Sequence, residues 1–291
     1  MDYCSKCGIP KAKNIPLDAV GECHICQNWD DYRQRIEGDF STISESIKER
    51  GLGRPYDCIV GISGGRDSAY MLYKLVKDYD LRCAAVFVEN AFTPSESVEN
   101  VKKTSQKLNV KLYQRRIASD YHIEIAKKMI AFWQKSHNPV FSNLACAPCK
   151  LFNKFLFELA NRLKVNTIMY GGNPYEFFYV GPADTSKSRS GKFTFSAMLY
   201  DSFSKIVKGA ALVCSNVGIV KYLPIMVKAS IMYCNQYTTY LKLRYRKITP
   251  YDFFHYYDWD EEEMNSILGE LGWVMPKGCV STWRADCEFE E

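Results

Sequence analysis

Cys58-Ile59-Val60-Gly61-Ile62-Ser63-Gly64-Gly65-Arg66-Asp67-Ser68 is the stretch whose reading decides the fold. A short apolar run ends in Ser-Gly-Gly-Arg-Asp-Ser. Apolar residues at helical spacing follow at once: Ala69, Tyr70, Met71, Leu72, Leu75 and Val76. The pattern predicts a strand, a tight glycine turn and a helix. Paired glycines let the backbone turn sharply and approach a ligand closely. The first N–H groups of a helix have no partner inside it, and the helix dipole favours an anion there. Ser63 and Ser68 add hydroxyls. Gly61, Ile62, Ser63, Gly64, Gly65, Asp67 and Ser68 are therefore the expected anion-binding set. A Walker-type loop is excluded, because no Gly-Lys-Ser/Thr follows four variable residues.

The chain has 291 residues, 47% of them hydrophobic, enough for one α/β domain and a small appendage. No apolar run reaches the roughly 18 residues of a membrane span. Met1-Asp2-Tyr3-Cys4 has neither the basic nor the apolar region of a secretion signal, so a cytoplasmic protein is expected. The net charge of +5 suits an anionic substrate without demanding nucleic acid.

Upstream of the loop, Cys4-Ser-Lys-Cys7 and Cys23-His-Ile-Cys26 form two Cys-x-x-Cys pairs. Each pair lets two sulfurs grip one ion from a tight turn. Cys4, Cys7, Cys23 and Cys26 thus read as a closed, structural zinc ribbon over residues 1–30, with iron the alternative. A segment this small needs its ion to fold. Residues 31–55 read as an amphipathic helical connector, with Ile36, Phe40, Ile43 and Ile47 at helical spacing and Gly51 ending it. Residues 56–291 form the main domain.

Downstream, the nearly continuous apolar run from Arg82 to Glu89 predicts a strand buried on both faces, as in a parallel sheet. Ligands of open α/β sheets sit at the carboxyl ends of strands, so Val88 to Asn90 is expected to border the ligand. A helix over Ser95 to Leu108 leads to a third strand ending at Arg115 and Arg116, which face either phosphate or solvent. A third Cys-x-x-Cys, Cys146-Ala-Pro-Cys149, opens a helix, where thiolates are favoured. It is a metal site, a redox dithiol or a packing turn. Cys58 and Cys83, inside apolar runs, read as packing residues. Asn166 to Tyr170 predicts a short strand ending in the turn Gly171-Gly172-Asn173. The segment from Thr185 to Lys192 is a basic loop, either a lid or a solvated surface. Helices are expected over 196–213 and 230–244, and from Asp260 as N-cap. The tail from Leu271 to Cys287 is rich in functional groups and is expected to fold back onto the site. Cys287 is the first choice for a third ligand beside Cys146 and Cys149, with Cys279, Cys234 and Cys214 in reserve.

The loop resembles the PP-loop signature, Ser-Gly-Gly-x-Asp-Ser, of the ATP pyrophosphatase (adenine nucleotide α-hydrolase) superfamily, with Arg66 in the variable position. The resemblance implies a doubly wound, mainly parallel α/β fold that binds ATP and Mg²⁺. It implies transfer of AMP to an acceptor oxygen, release of pyrophosphate, and displacement of AMP by nitrogen or sulfur. Asp67 would help hold Mg²⁺, and Gly171 and Asn173 would lie close to the nucleotide. Two branches are similar in detail. The N-terminal cysteines, the Gly-Asn turn and Leu271-Gly-Trp-x-x-Pro276 resemble N-acetyl sugar amidotransferases, which take ammonia from a partner glutaminase. Cys146-x-x-Cys149 with a distant cysteine resembles iron–sulfur tRNA 2-thiolation enzymes, whose three cysteines hold a [4Fe–4S] cluster that carries sulfide. Sulfur transfer to tRNA or a small molecule is the favoured expectation, with Cys146 and Cys149 in the chemistry, a sulfide donor as partner, and a homodimer as the assembly. The runner-up is amidation of a nucleotide-linked sugar. An ATP-binding regulatory or nucleic-acid module is the non-enzymatic alternative.

Overall fold

The computed structural model describes residues 3–5, 11, 16–27, 39–136, 149, 151–172, 241, 244–258, 260–278 and 287. Cys7, Cys146, Asn173, the basic loop 185–192, the helix expected over 196–213 and most of that expected over 230–244 lie outside the described residues.

Asp39 caps the first long helix, α1 (Phe40–Gly51), by accepting the Ser41 N–H at 3.0 Å. Then follow β1 (Cys58–Ile62), α2 (Arg66–Lys77), β2 (Cys83–Glu89), α3 (Ser95–Lys107), β3 (Lys111–Arg116), α4 (Ser119–Ser136), α5 (Leu151–Leu163), β4 (Thr167–Tyr170), β5 (Thr249–Asp252) and α6 (Glu261–Leu271). The five strands form one parallel sheet in the order β3-β2-β1-β4-β5. Strand order reverses between β1 and β4, the switch point at which open α/β sheets bind ligands.

Parallel strands need cover on both faces, and all five residues of β1 are buried. One face presents Cys58, Val60, Ile62, Ala85 and Phe87 to α1, α2, α3 and α6. The other presents Ile59, Ala84, Val86 and Ile168 to α5 and to Leu241, Tyr245 and Ile248. This alternation makes the fold doubly wound. Cys58 and Cys83 stand opposite each other across β1 and β2 with sulfurs 3.6 Å apart. The hydrogen bond to Cys58 and complete burial push the Cys83 thiol well up, which suits packing and not reactivity.

The helical spacing in the 31–55 segment has a partner in the sheet domain. Phe40 is fully buried, with its ring edge-on to Tyr79 at 4.7 Å and Phe253 at 4.9 Å. Burial of such a side chain contributes roughly 1.5–3 kcal/mol, so α1 packs as a layer of this core.

The strand β5 is not predicted by the sequence. Its four residues, Thr-Pro-Tyr-Asp, contain a proline, which argues against a central strand. It lies at the end of the described sheet, where a missing N–H is tolerated. At the opposite edge, β3 carries Arg115 over the Phe155 ring at 5.2 Å and Arg116 beside Glu89 at 3.4 Å. Both arginines have protein partners there.

Candidate active site

The loop joins β1 to α2 at the switch point. Gly65 is the N-cap of α2, with extended backbone and no side-chain cap. An N-cap without a side chain keeps the helix end open to an approaching anion. Gly64 adopts φ +93°, and a Cβ on it would lie 2.5 Å from the Ser97 carbonyl oxygen. A side chain there meets both backbone strain and rigid backbone. The two serines hold the turn in shape. Ser68 Oγ accepts the Ser63 N–H at 3.2 Å, Ser63 Oγ lies 3.2 Å from Ser68 Oγ, and Gly65 N–H donates to Ser63 Oγ at 3.3 Å. Ser63, Gly65 and Asp67 are half-buried, alternating with buried Ile62, Gly64, Arg66 and Ser68. Asp67 lies in the first turn of α2, where a carboxylate can meet a divalent cation carried by a polyphosphate. These features fit a bound Mg²⁺-nucleotide.

Neighbouring segments close in on this loop. A Cβ on Gly171 would stand 3.3 Å from Ser68 Cα and 3.2 Å from Met71 Cε, so the end of β4 abuts the start of α2. Val88, near the end of β2, is half-buried on the same carboxyl edge. The segment after α6 comes back to the loop: Trp273 Nε1–H donates to the Gly64 carbonyl at 2.9 Å, and Asn100 Oδ1 accepts the Val274 N–H at 2.9 Å. The acid-rich first turn of α6, capped by Asp260, faces α2. Arg66, at 2% exposure, bonds Glu261 at 2.9 Å, so the variable loop position is turned towards α6. Lys74 bonds Glu263 at 2.8 Å and also pairs with Asp78, while Tyr70 donates its hydroxyl to Glu263. Burial pushes Glu263 up, but the hydrogen bonds from Lys74 and Tyr70 outweigh it and hold the carboxyl below its ordinary value.

Cys149 lies just before α5. Its sulfur is 3.7 Å from Asn90 Nδ2 and 3.8 Å from His122 Nε2. Asn90 follows the last residue of β2, and His122 comes from the first turns of α4. His122 is 1% exposed, and burial lowers its pKa, which favours neutral imidazole. Phe92 meets its ring edge-on at 4.9 Å. Sequence reasoning missed both neighbours of Cys149. The only local signal was the position of Asn90 at a strand's carboxyl end. Among the described residues no third Cys, His or carboxylate joins Cys149 and His122 within 4.8 Å, and Cys287 is half-buried.

At the N-terminus, Cys4, Cys23 and Cys26 bring their sulfurs within 4.8 Å of one another. The Cys4 and Cys26 sulfurs are 3.9 Å apart. Two thiolates on a tetrahedral zinc, at about 2.3 Å each, stand about 3.8 Å apart, so the residues fit the ion. The Cys23 N–H also donates to Cys4 Sγ at 3.3 Å, and Leu17 bridges Cys23 in antiparallel fashion. Cys7, the expected fourth ligand, lies outside the described residues.

A glycine-turned loop between β1 and α2, set at the switch point of a parallel sheet, defines a nucleotide-binding domain of the HUP class. Residues 56–173 match the family model described as "tRNA methyl transferase HUP domain". That stretch contains the loop from Ser63 to Ser68 and is similar to this HUP family. No curated protein matches it. Among solved structures it is similar to the NMN synthetase from Francisella tularensis, at 19% identity and a TM-score of 0.34, over 51% of this chain and 56% of that one. The similarity therefore spans little more than half of that synthetase. It is also similar to the U34-tRNA thiolase NcsA from Methanococcus maripaludis, solved with its [4Fe-4S] cluster, at 14% identity and a TM-score of 0.39, over 97% of this chain and 78% of that one. The NH3-dependent NAD synthetase from Campylobacter jejuni subsp. jejuni matches at 14% identity and a TM-score of 0.33, over 70% of this chain and 95% of that one. No helix among the described residues is long and apolar enough to cross a membrane.

Proposed function

We propose that this protein is an ATP-dependent sulfurtransferase that adenylylates an oxygen of tRNA or a small molecule and then exchanges that oxygen for sulfur. The acceptor oxygen attacks the α-phosphorus of ATP, the bond to the β-phosphate breaks, and pyrophosphate leaves. The helix-end amides from Ser63 to Ser68 and an Mg²⁺ held with Asp67 offset the charge that builds on the polyphosphate. Sulfide then attacks the adenylated carbon, and AMP departs with the original oxygen. Cys146, Cys149 and Cys287 are the residues proposed to hold a [4Fe–4S] cluster, which when bound supplies an open iron for sulfide. Val88, Gly171 and Asn173 border the nucleotide in this reading, and a sulfide-donating protein is the partner.

The observation that supports sulfur is the 3.7 Å contact from Asn90, at the carboxyl end of β2, to Cys149. That contact puts a cysteine sulfur on the sheet edge that also carries the loop after β1. A second reading, amidation of a nucleotide-linked N-acetyl sugar with ammonia from a glutaminase subunit, is supported by Trp273. This residue of the Leu271–Pro276 segment bonds the loop carbonyl of Gly64 at 2.9 Å.

Iron and acid-labile sulfide analysis, with a visible spectrum, separates the two on protein purified without oxygen. Sulfur transfer requires a brown protein carrying iron and sulfide beyond its zinc. A colourless protein that holds zinc alone contradicts it and favours amidation.

A further inference from the structure

The charged side chain at the variable position of the loop is taken out of water. Arg66 is 2% exposed, and a guanidinium is charged at every accessible pH. A charge buried this far needs counter-charge at close range. Two carboxylates meet it, one from the loop itself and one from 195 residues downstream. Nη1 donates to Glu261 Oε1 at 2.9 Å, and Nε stands 3.4 Å from Asp67 Oδ1. Different nitrogens of one planar fork thus face α6 and the next residue of the loop.

The partner from α6 is held in place from both ends of its helix. Glu261 opens α6, whose N-cap Asp260 accepts the Glu263 N–H at 2.9 Å. Arg66, Tyr70 and Lys74 recur every fourth residue on α2, so one stripe of that helix meets the acidic turn. Lys74 bonds Glu263 as Arg66 bonds Glu261. The segment after α6 is tied back to the loop by Trp273 at the Gly64 carbonyl.

We propose that Glu261 is a positioning residue for the loop carboxylate: it offsets the charge of Arg66, so that the negative charge of Asp67 acts on the divalent cation that accompanies the nucleotide. The proposal rests on the nucleotide reading above and adds to it a residue remote from the loop in sequence. Mg²⁺ is commonly bound through one or two carboxylates together with substrate phosphates, so a loop aspartate fits the ion. Arg66 and the cation compete for that aspartate. Without the charge of Glu261, the guanidinium acts on Asp67 alone, and the cation meets a neutralised ligand. An ion pair that served stability only would shift the melt and leave the affinity for the cation untouched.

The test uses full-length protein and calorimetric titration with a non-hydrolysable ATP analogue at a series of Mg²⁺ concentrations. Circular dichroism melts control for folding. Glu261→Gln keeps an acceptor for Arg66 Nη1 and removes the charge, and its apparent Mg²⁺ affinity is expected to fall roughly tenfold. Glu261→Asp restores the charge and is expected to return towards wild type. In an Arg66→Met background, Glu261→Gln is expected to change the affinity by less than about twofold, since the charge it offsets is gone. Should Arg66→Met fail the folding control, Glu261→Gln against Glu261→Asp carries the comparison. Wild-type Mg²⁺ affinity in folded Glu261→Gln, or an equal loss in both backgrounds, overturns the role of Glu261 while leaving the nucleotide reading standing. A wild-type protein that binds the analogue with no dependence on Mg²⁺ overturns the cation role of Asp67, and the proposal with it. A wild-type protein that binds no analogue overturns the nucleotide reading itself.

Discussion

Trp273 Nε1–H donates to the carbonyl oxygen of Gly64 at 2.9 Å, joining positions 209 residues apart. Gly64 is the loop residue with φ +93°, so the indole holds the turn from outside. The turn is shaped by its own glycines and serines and then fixed by a segment that arrives almost at the end of the chain. Replacing Trp273 by Phe keeps the ring and removes the bond. A net hydrogen bond of about 1 kcal/mol corresponds to roughly a fivefold weaker Kd for ATP. Calorimetric titration of the variant measures this, and an unchanged Kd removes Trp273 from loop positioning.

Asp67, in the first turn of α2, is proposed to help hold Mg²⁺. Asp67→Ala is expected to abolish acceptor-dependent pyrophosphate release while leaving the thermal melt within about 1 kcal/mol of wild type. A coupled pyrophosphate assay reads the first result. Wild-type release rates exclude the role.

The contact between α2 and α6 carries a charge pair with a defined pH response. The Glu263 carboxyl is held below its ordinary value of 4.5, so its contribution to stability is fully present above that pH. It is lost as pH falls through the lower, folded value. Burial lowers the Lys74 pKa, but bonds to Asp78 and Glu263 outweigh this and raise it above 10.5, so the lysine stays charged throughout the acid range. Denaturant melts between about pH 3 and pH 7 are expected to show a smaller acid loss in Glu263→Gln than in wild type. Parallel curves contradict the assignment.

The N-terminal cysteines are proposed to hold zinc. Cys4→Ser is expected to lose one zinc per chain by elemental analysis and to expose residues 16–27 to proteolysis. Undiminished zinc content places the ion elsewhere.

The central strands, the loop and Asp260 were legible because their signals are local. Each is a continuous apolar run, a glycine pair at a junction, or a capping acid before an acidic turn. The spacing of Phe40 and Ile47 announced a packed helix face, but not that Phe253 would meet it, because partner choice is set by the sheet face on which both pack. The strand β5 was hidden by Pro250 and by its length of four residues. His122 carried no signal at all. A single histidine in an amphipathic helix reads as ordinary packing, and only the approach of α4 to the end of β2 puts it beside Cys149. Asn90 and His122 reach the Cys149 sulfur from the end of β2 and from α4, so no local cysteine pattern announces them.

Hydrogen–deuterium exchange of the peptide spanning Ile62 to Ala69, with and without Mg²⁺-ATP, tests the central claim most directly, since it needs neither the acceptor nor the sulfur donor. If the amides after β1 grip the phosphates, exchange at Ser63 through Ser68 slows on saturation with nucleotide. Unaltered exchange there, with ATP demonstrably bound, contradicts the account.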